Sequence, residues 1–425
     1  MSQRIRILWL CPYLPAPTFG AGTRVFNLLK VLSRTCEVDL IAGSVTGEPD
    51  QEMLADVRSL CHGVQVVPTT ITSQRHKRLL QLKSLLSRHP MHYRIFSSQE
   101  MQERINHAAR QNAYDIAVLE SSFMGYYSLP AGLPCVLDQH NVESEILLRS
   151  GRRERSVLRR GYNLLEYWKY SSDERRICRE MDLILATSTR DCETMRNWRD
   201  VPACVVIPNG VDTSYFVPDE RKNDQLHRTV LFTGTMNYSP NVEAMLYFVG
   251  DIWPLIQECL PAAALQIVGR APPPEIMRLA QLSNVAVLGS VPDVRPYLTA
   301  AQVVVAPLRI GGGTRLKILE AMAMARAVVS TSLGREGLEV QDGRHLLVAD
   351  DPRAFAESVC ELLSNSTRRA EIGQEGRQLV QESYDWSALG LRMEEALRDV
   401  LRARQSEAAM PDVTSQVGGE PASPS

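Results

Sequence analysis

The 425 residues carry 47 Lys plus Arg against 49 Asp plus Glu, a formal charge of −2, with 44% hydrophobic and 23% charged residues. Those proportions are globular and exclude wholesale disorder, a collagen-like chain and a disulfide scaffold. The length asks for two or three domains, and the charge balance speaks against a dedicated nucleic-acid binder.

The N-terminal MSQRIRILWLCPYLPAP has an apolar core of only ILWLC before Pro12, Pro15 and Pro17. It is too short for a signal-peptide core, lacks an A-x-A site, and reads as a first buried strand. No window approaches the roughly 20 apolar residues of a membrane span. The nine cysteines are scattered, with no C-x-x-C. They read as buried thiols of a reducing compartment, not a disulfide framework or a zinc site. The expectation is a cytoplasmic protein, able to sit peripherally on the inner face of a membrane.

Strand-like runs follow at 5–10, 38–43, 64–69, 116–121, 135–140, 183–188 and 204–209, with helical patterns at 22–34, 51–61, 74–88 and 99–112 between them. Continuous apolar strands alternating with helices predict a doubly wound parallel sheet buried on both faces. The polar stretch 212–228 breaks the rhythm and reads as a linker. Strands then resume at 229–234, 264–269, 285–290, 302–307, 327–332 and 345–350, with helices at 240–258, 314–325, 352–364 and 367–381. Asp350-Asp351 reads as a helix cap. The expected plan is a first α/β domain over 1–211, a linker, a second over 229–384, a helix over 385–404 crossing back to the first domain, and a disordered tail over 405–425. Ligands of such sheets bind at strand C-terminal ends, so the cleft between two such rows is the place to look.

GGGTRLKILEAMA at 311–323 follows one strand and opens a helix. Gly311, Gly312 and Gly313 let a backbone approach a ligand and leave free N–H groups at a helix N-terminus, an anion site by geometry and dipole. Arg315 and Lys317 sit in the first turn, where the dipole disfavours cations, which suggests that they serve a bound anion. The alternative is a glycine turn with a surface ion pair between Lys317 and Glu320. FGAGTR at 19–24, after the first strand, offers Gly20, Gly22 and a cation in Arg24, or else a plain strand-to-helix turn. IVGRAP at 267–272 and VLGSVPDV at 287–294 end two strands in tight turns. Asn209-Gly210 is a turn signal with a structural role. His140 in LDQHNVESE ends another strand facing the cleft, as a structural hydrogen-bonder or a catalytic group.

The 311–332 segment resembles the signature of the GT-B retaining glycosyltransferases of the family-4 type (glycosyl transferases group 1). In that pattern a Glu or Gly, seven residues, a Glu and Ala-Met-Ala close the nucleotide-sugar site. The resemblance covers nearly the whole chain. It implies two Rossmann-like domains facing a cleft, an acceptor-side first domain and a nucleotide-sugar-binding second one. It places Glu320 on the donor ribose and His140 beside the donor sugar. Gly312 stands where a carboxylate is common and so offers only backbone N–H; Gly313 and Thr314 beside it are expected to bind substrate. Gly20, Gly22 and Arg24 fall near the phosphates and the acceptor. Gly269, Arg270 and the backbone at Val291 fall near the base. Arg315 and Lys317 would neutralise the diphosphate, because GTMNYSPN (234–241) lacks the family's usual Arg and Lys.

Divided at residue 205, the first part carries 27 basic and 22 acidic residues and the remainder 20 and 27. RSGRRERSVLRR at 149–160 holds six Arg and one Glu, and QRHKRLLQLKSLLSRH at 74–89 spaces leucines helically among cations. Such helices can lie on anionic lipid or form a solvated face. The resemblance thus implies sugar transfer from a nucleoside-diphosphate sugar to a glycan or lipid-linked acceptor, in polysaccharide or glycoconjugate biosynthesis. It implies retention of configuration, no essential metal and no cofactor beyond the donor; the two basic patches leave room for an anionic membrane surface as a partner, and no nucleic acid is expected. The alternatives are a nucleotide-sugar epimerase of the same fold and a non-catalytic binding subunit.

Overall fold

The computed structural model describes residues 4–16, 20–44, 50–68, 74–154, 156–218, 228–310 and 315–409. The first seven strands are β1 (Ile5–Cys11), β2 (Cys36–Ser44), β3 (Gly63–Pro68), β4 (Ile116–Glu120), β5 (Cys135–Gln139), β6 (Leu183–Ala186) and β7 (Cys204–Val206). They form one sheet in the order β3-β2-β1-β4-β5-β6-β7. Every pairing is parallel; Ile7 in β1 lies between Val38 and Ile116. Six more are β8 (Thr229–Thr233), β9 (Ala264–Val268), β10 (Val285–Gly289), β11 (Val303–Ala306), β12 (Ala327–Ser330) and β13 (Leu347–Val348). Their sheet is again all parallel, in the order β10-β9-β8-β11-β12-β13.

Helices cover both faces of each sheet, which is why the central strands are apolar without alternation. β4, β6, β8, β11 and β12 are buried along their whole length. Trp9 and Leu28 lie in one core of the first sheet and Phe232 and Trp253 in one core of the second. Side chains of this size stabilise a fold by roughly 1.5–3 kcal/mol each when fully buried.

The thirteen strands expected from the sequence all form. Helices Gly20–Leu32, Gln51–Leu60, Gln74–Leu85 and Gln99–Gln111 match their expected segments within a few residues. Asp351 caps Pro352–Ser364, accepting from the N–H groups of Arg353 (2.9 Å) and Ala354 (3.2 Å). The last helix, Trp386–Ala409, runs past Arg404 into the stretch expected to be disordered. It packs Trp386, Leu389, Met393 and Leu397 into the first sheet's core beside Ile5 and Leu32, so this helix crosses back to the first domain. The two crossings run side by side: the Val211 N–H donates to the Tyr384 carbonyl at 2.8 Å and the Thr213 hydroxyl to the Asp385 carboxylate at 2.6 Å. The linker residues 219–227 and the tail 410–425 lie outside the described residues.

One expectation is corrected. Cys192, on the helix Thr189–Arg196, and Cys204, in β7, form a disulfide with Cα atoms 5.8 Å apart, because that helix folds back over the next strand. The other seven cysteines are free thiols, and Cys259 among them is exposed.

Candidate active site

Each sheet reverses its strand order once, at β1/β4 and at β8/β11. The crevice outside the strand ends at such a point is where an open α/β sheet accepts a ligand. A cavity of about 510 Å³ opens there in the second sheet. It is lined by Gly234 and Tyr238 after β8, Gly269 and Arg270 after β9, Ser290 and Val291 after β10, and Arg315, Lys317 and Glu320 beyond β11. Thr23, in the first turn of Gly20–Leu32, closes it from the other domain.

Lys317 is the best-defined group. It stands in the first turn of Leu316–Ala323, which the side chain of the N-cap residue does not cap. Its Nζ donates to Asn241 Oδ1 at 2.8 Å and lies 3.9 Å from the centre of the Phe232 ring. Burial, with help from Arg315, drives its pKa down to about 7, against the pull of Glu320. Burial pushes the Glu320 carboxyl up, and Lys317 partly offsets it. Arg315 is buried, which lowers its pKa. Among the described residues Lys317 and Glu320 make no ion pair within 4 Å, so the surface-pair alternative does not hold.

Two glycines make room for this arrangement. A β-carbon on Gly234, whose φ is +155°, would stand 2.7 Å from Lys317 Nζ. One on Gly269 would stand 1.6 Å from the Gly234 carbonyl oxygen, so those two turns pack backbone to backbone.

His140 belongs to a separate knot at the ends of β4 and β5. Its Nε2 pairs with Glu120, which is wholly buried, while the imidazole keeps 12% exposure. Trp9 Nε1 donates to the other Glu120 oxygen at 3.4 Å. Burial disfavours the imidazolium, but Glu120 outweighs it and the His140 pKa is raised. Burial likewise raises Glu120, opposed by His140. Ligand atoms of Glu120, Asp138 and His140 lie within 4.8 Å of one another. Arg24, however, already occupies both Asp138 oxygens, at 2.7 and 3.0 Å.

The expected role of Arg24 is therefore corrected. It is buried, and besides Asp138 it donates to the Ile207 and Pro208 carbonyls at 2.8 and 3.0 Å. Its charge is consumed inside the first domain, clamping β5 to the segment leaving β7, and its neighbour Thr23 faces the cavity instead. Gly20 and Gly22 start the helix behind Thr23, and Gly22 is buried. Gly269, Arg270 and Val291 line the cavity together with Arg315, Lys317 and Glu320. His140 is not among its lining residues. Gly311, Gly312, Gly313 and Thr314 lie outside the described residues.

The sequence reading missed Asn241, which holds Lys317, and Glu120, which holds His140. Glu120 left a signal: an acid closing a fully apolar strand has to find a buried partner.

Two family models match the chain: that described as glycosyl transferases group 1 over residues 227–365 and that described as glycosyltransferase family 4 over residues 19–215. The chain belongs to the group 1, family-4 type glycosyltransferases. It is 23% identical over 398 residues to an uncharacterized 44.6 kDa protein of the Klebsiella pneumoniae cps region, covering 91% of this chain and 97% of that one. It is 30% identical over 199 residues to the phosphatidyl-myo-inositol mannosyltransferase of Mycobacterium tuberculosis (strain H37Rv), covering 44% of this chain but only 51% of the mannosyltransferase. Among solved structures it superposes on Anabaena Alr3699/HepE in complex with UDP with a TM-score of 0.67 at 16% identity, over 93% of this chain and 100% of that one. That likeness shows the two-sheet GT-B fold.

Proposed function

We propose that the protein is a retaining glycosyltransferase that moves a sugar from a nucleoside-diphosphate sugar to a glycan or lipid-linked acceptor. The observation that carries this reading is the cavity at the β8/β11 switch point, where Lys317, Arg315 and Glu320 face Thr23 across the domains. UDP in the Anabaena structure and the phosphatidylinositol acceptor in the mannosyltransferase's name support the donor and acceptor classes.

Breaking a sugar–phosphate bond builds negative charge on the departing diphosphate and positive charge at the anomeric carbon. Lys317 and Arg315, at the N-terminus of Leu316–Ala323, are preorganised to meet the first. Asn241 fixes Lys317, so little reorganisation is needed at the moment of bond breaking. Glu320, one turn further on, would accept from the ribose hydroxyls. Arg270, Ser290 and Val291 at the far wall suit the base. His140 would lie beside the sugar on the first-domain side, its Nε2 being held by Glu120. No step here requires a metal ion, and none requires a cofactor besides the donor.

A thermal-shift screen against UDP-, GDP-, ADP- and TDP-sugars tests the reading, since a ligand that binds only the native state raises its melting temperature. One donor is expected to stand out and to be hydrolysed slowly without acceptor. Indifference to all four refutes the reading; appearance of an epimer with donor alone favours the epimerase instead.

A further inference from the structure

The helix Val157–Arg179 mixes acids into its buried face and carries apolar side chains on its exposed one. Its buried face carries two acids, Glu166 and Glu174, while Leu158, Leu165 and Trp168 point to solvent. The acids are engaged in holding neighbouring segments. Glu166 accepts from Ser84 Oγ at 3.0 Å, the Met91 N–H at 2.6 Å and Lys169 at 3.3 Å. Glu174 accepts from Gln139 Nε2 at 3.0 Å and from the N–H groups of Glu143 and Ser144 at 2.8 and 3.2 Å, at the start of Glu143–Arg153.

The outward residues have no such partners. Leu158, Leu165 and Trp168 recur at helical spacing and are 87%, 38% and 71% exposed. The neighbouring helix Gln74–Leu85 repeats the pattern: Leu79, Leu82 and, just beyond it, Leu86 are 48%, 63% and 96% exposed. Ser84, in the last turn of Gln74–Leu85, joins the two helices at one point through Glu166 and, at 3.2 Å, Tyr162. Exposed cations flank these leucines: Lys83 and Arg88 on one side, Arg159 and Arg160 on the other. Among the described residues none of these four forms an ion pair.

We propose that this two-helix face docks on the surface of an anionic lipid bilayer, with the leucines and Trp168 entering the headgroup boundary and the Lys and Arg meeting lipid phosphates. Apolar side chains ringed by uncompensated cations are what such a surface selects. A second copy of the chain suits it less, because a two-fold pairing would set Arg159 and Arg160 near their own counterparts. The proposal deepens the lipid-linked-acceptor reading and rests on it for its purpose. Through Glu174 the docking helix is bonded to the segment that carries His140, so a docked enzyme would receive a membrane-embedded acceptor at the cleft.

The test is flotation of the full chain with phosphatidylcholine vesicles with and without phosphatidylglycerol, at about 50 mM and about 500 mM salt. Binding is expected only to the anionic vesicles and mainly at the lower salt. Leu158→Asp with Trp168→Asp is expected to weaken it about tenfold or more. Arg159→Gln with Arg160→Gln is expected to weaken it and flatten its salt dependence. Both variants alter exposed side chains and are expected to keep the wild-type melting temperature and donor hydrolysis. No binding to anionic vesicles, or binding that neither variant reduces, overturns the proposal. A dimer in sedimentation that the Leu158/Trp168 variant dissociates also overturns it and assigns the face to self-association. If donor hydrolysis is absent from the wild type while flotation succeeds, the proposed reaction fails and the docking face stands.

Discussion

Raising the pH above 7 should weaken the grip of this protein on a nucleoside diphosphate, with Lys317 as the cause. Its ammonium is pressed against the Phe232 ring and Asn241 and is driven down to about 7, by burial first and by Arg315 second. In the free protein about half of Lys317 would then be charged at pH 7 and about a tenth at pH 8, against nearly all of an ordinary lysine. A bound diphosphate favours the ammonium, so binding takes up a proton from solution. The sign follows: affinity is nearly flat below the free pKa and falls above it, about fivefold between pH 7 and 8, then about tenfold per unit until the pKa of the complex is reached. Calorimetry of UDP and GDP in two buffers of different ionisation enthalpy measures the uptake directly. The expected uptake is about half a proton at pH 7 and about nine-tenths at pH 8. Lys317→Met should bind weakly with no uptake. Pairing a pH-independent affinity with zero uptake in the unsubstituted protein would refute the argument, because Lys317 would then be either already charged or out of reach of the diphosphate.

Three further outcomes are expected. Glu320→Ala should lower kcat/KM for the donor by about a hundredfold or more, the scale of removing hydrogen bonds to a bound substrate, with the melting temperature unchanged or raised because a half-buried carboxyl whose charge is disfavoured by desolvation is gone; wild-type turnover would remove Glu320 from the site. Glu120→Gln should lower the His140 titration midpoint read by NMR, because burial alone depresses it and Glu120 supplies the opposing charge; an unmoved midpoint would show that another group holds the proton. Arg24→Met should cost about 3–5 kcal/mol in denaturant unfolding, since it strands Asp138 in the core; a stable variant that merely binds donor less well would restore Arg24 to the donor site.

How legible all this was in the sequence depended on the range of the interaction. The strands could be read directly because those at the centre of each sheet, buried on both faces, are continuous apolar runs, as in LILA and VVVA. The cap at Asp351 was readable because it involves neighbours in the chain. Val157–Arg179 was read only as the Arg-rich patch that overlaps its start, because its buried face mixes Glu166 and Glu174 with Tyr170, Ile177 and Cys178 and the partners of the acids are Ser84, Met91, Gln139 and Ser144 on other elements. Cys192 and Cys204 were read as thiols because spacing alone does not reveal that a helix folds back on the next strand.

The site divides the same way. Lys317, Arg315 and Glu320 lie within one turn and a half of a helix that follows a strand, so their convergence was determined by local periodicity. Arg24 was the opposite case: a cation after a glycine turn looks like an anion ligand until the fold brings Asp138, 114 residues away, against its guanidinium. The pairings of His140 with Glu120 and of Lys317 with Asn241 were likewise decided by tertiary structure alone. The chain's own order determined which residues could bear charge and on which elements they would sit. Which of those charges are spent inside a domain and which remain at the cleft was decided only when strands distant in sequence became neighbours in the sheet, because burial and pairing are properties of that packed neighbourhood.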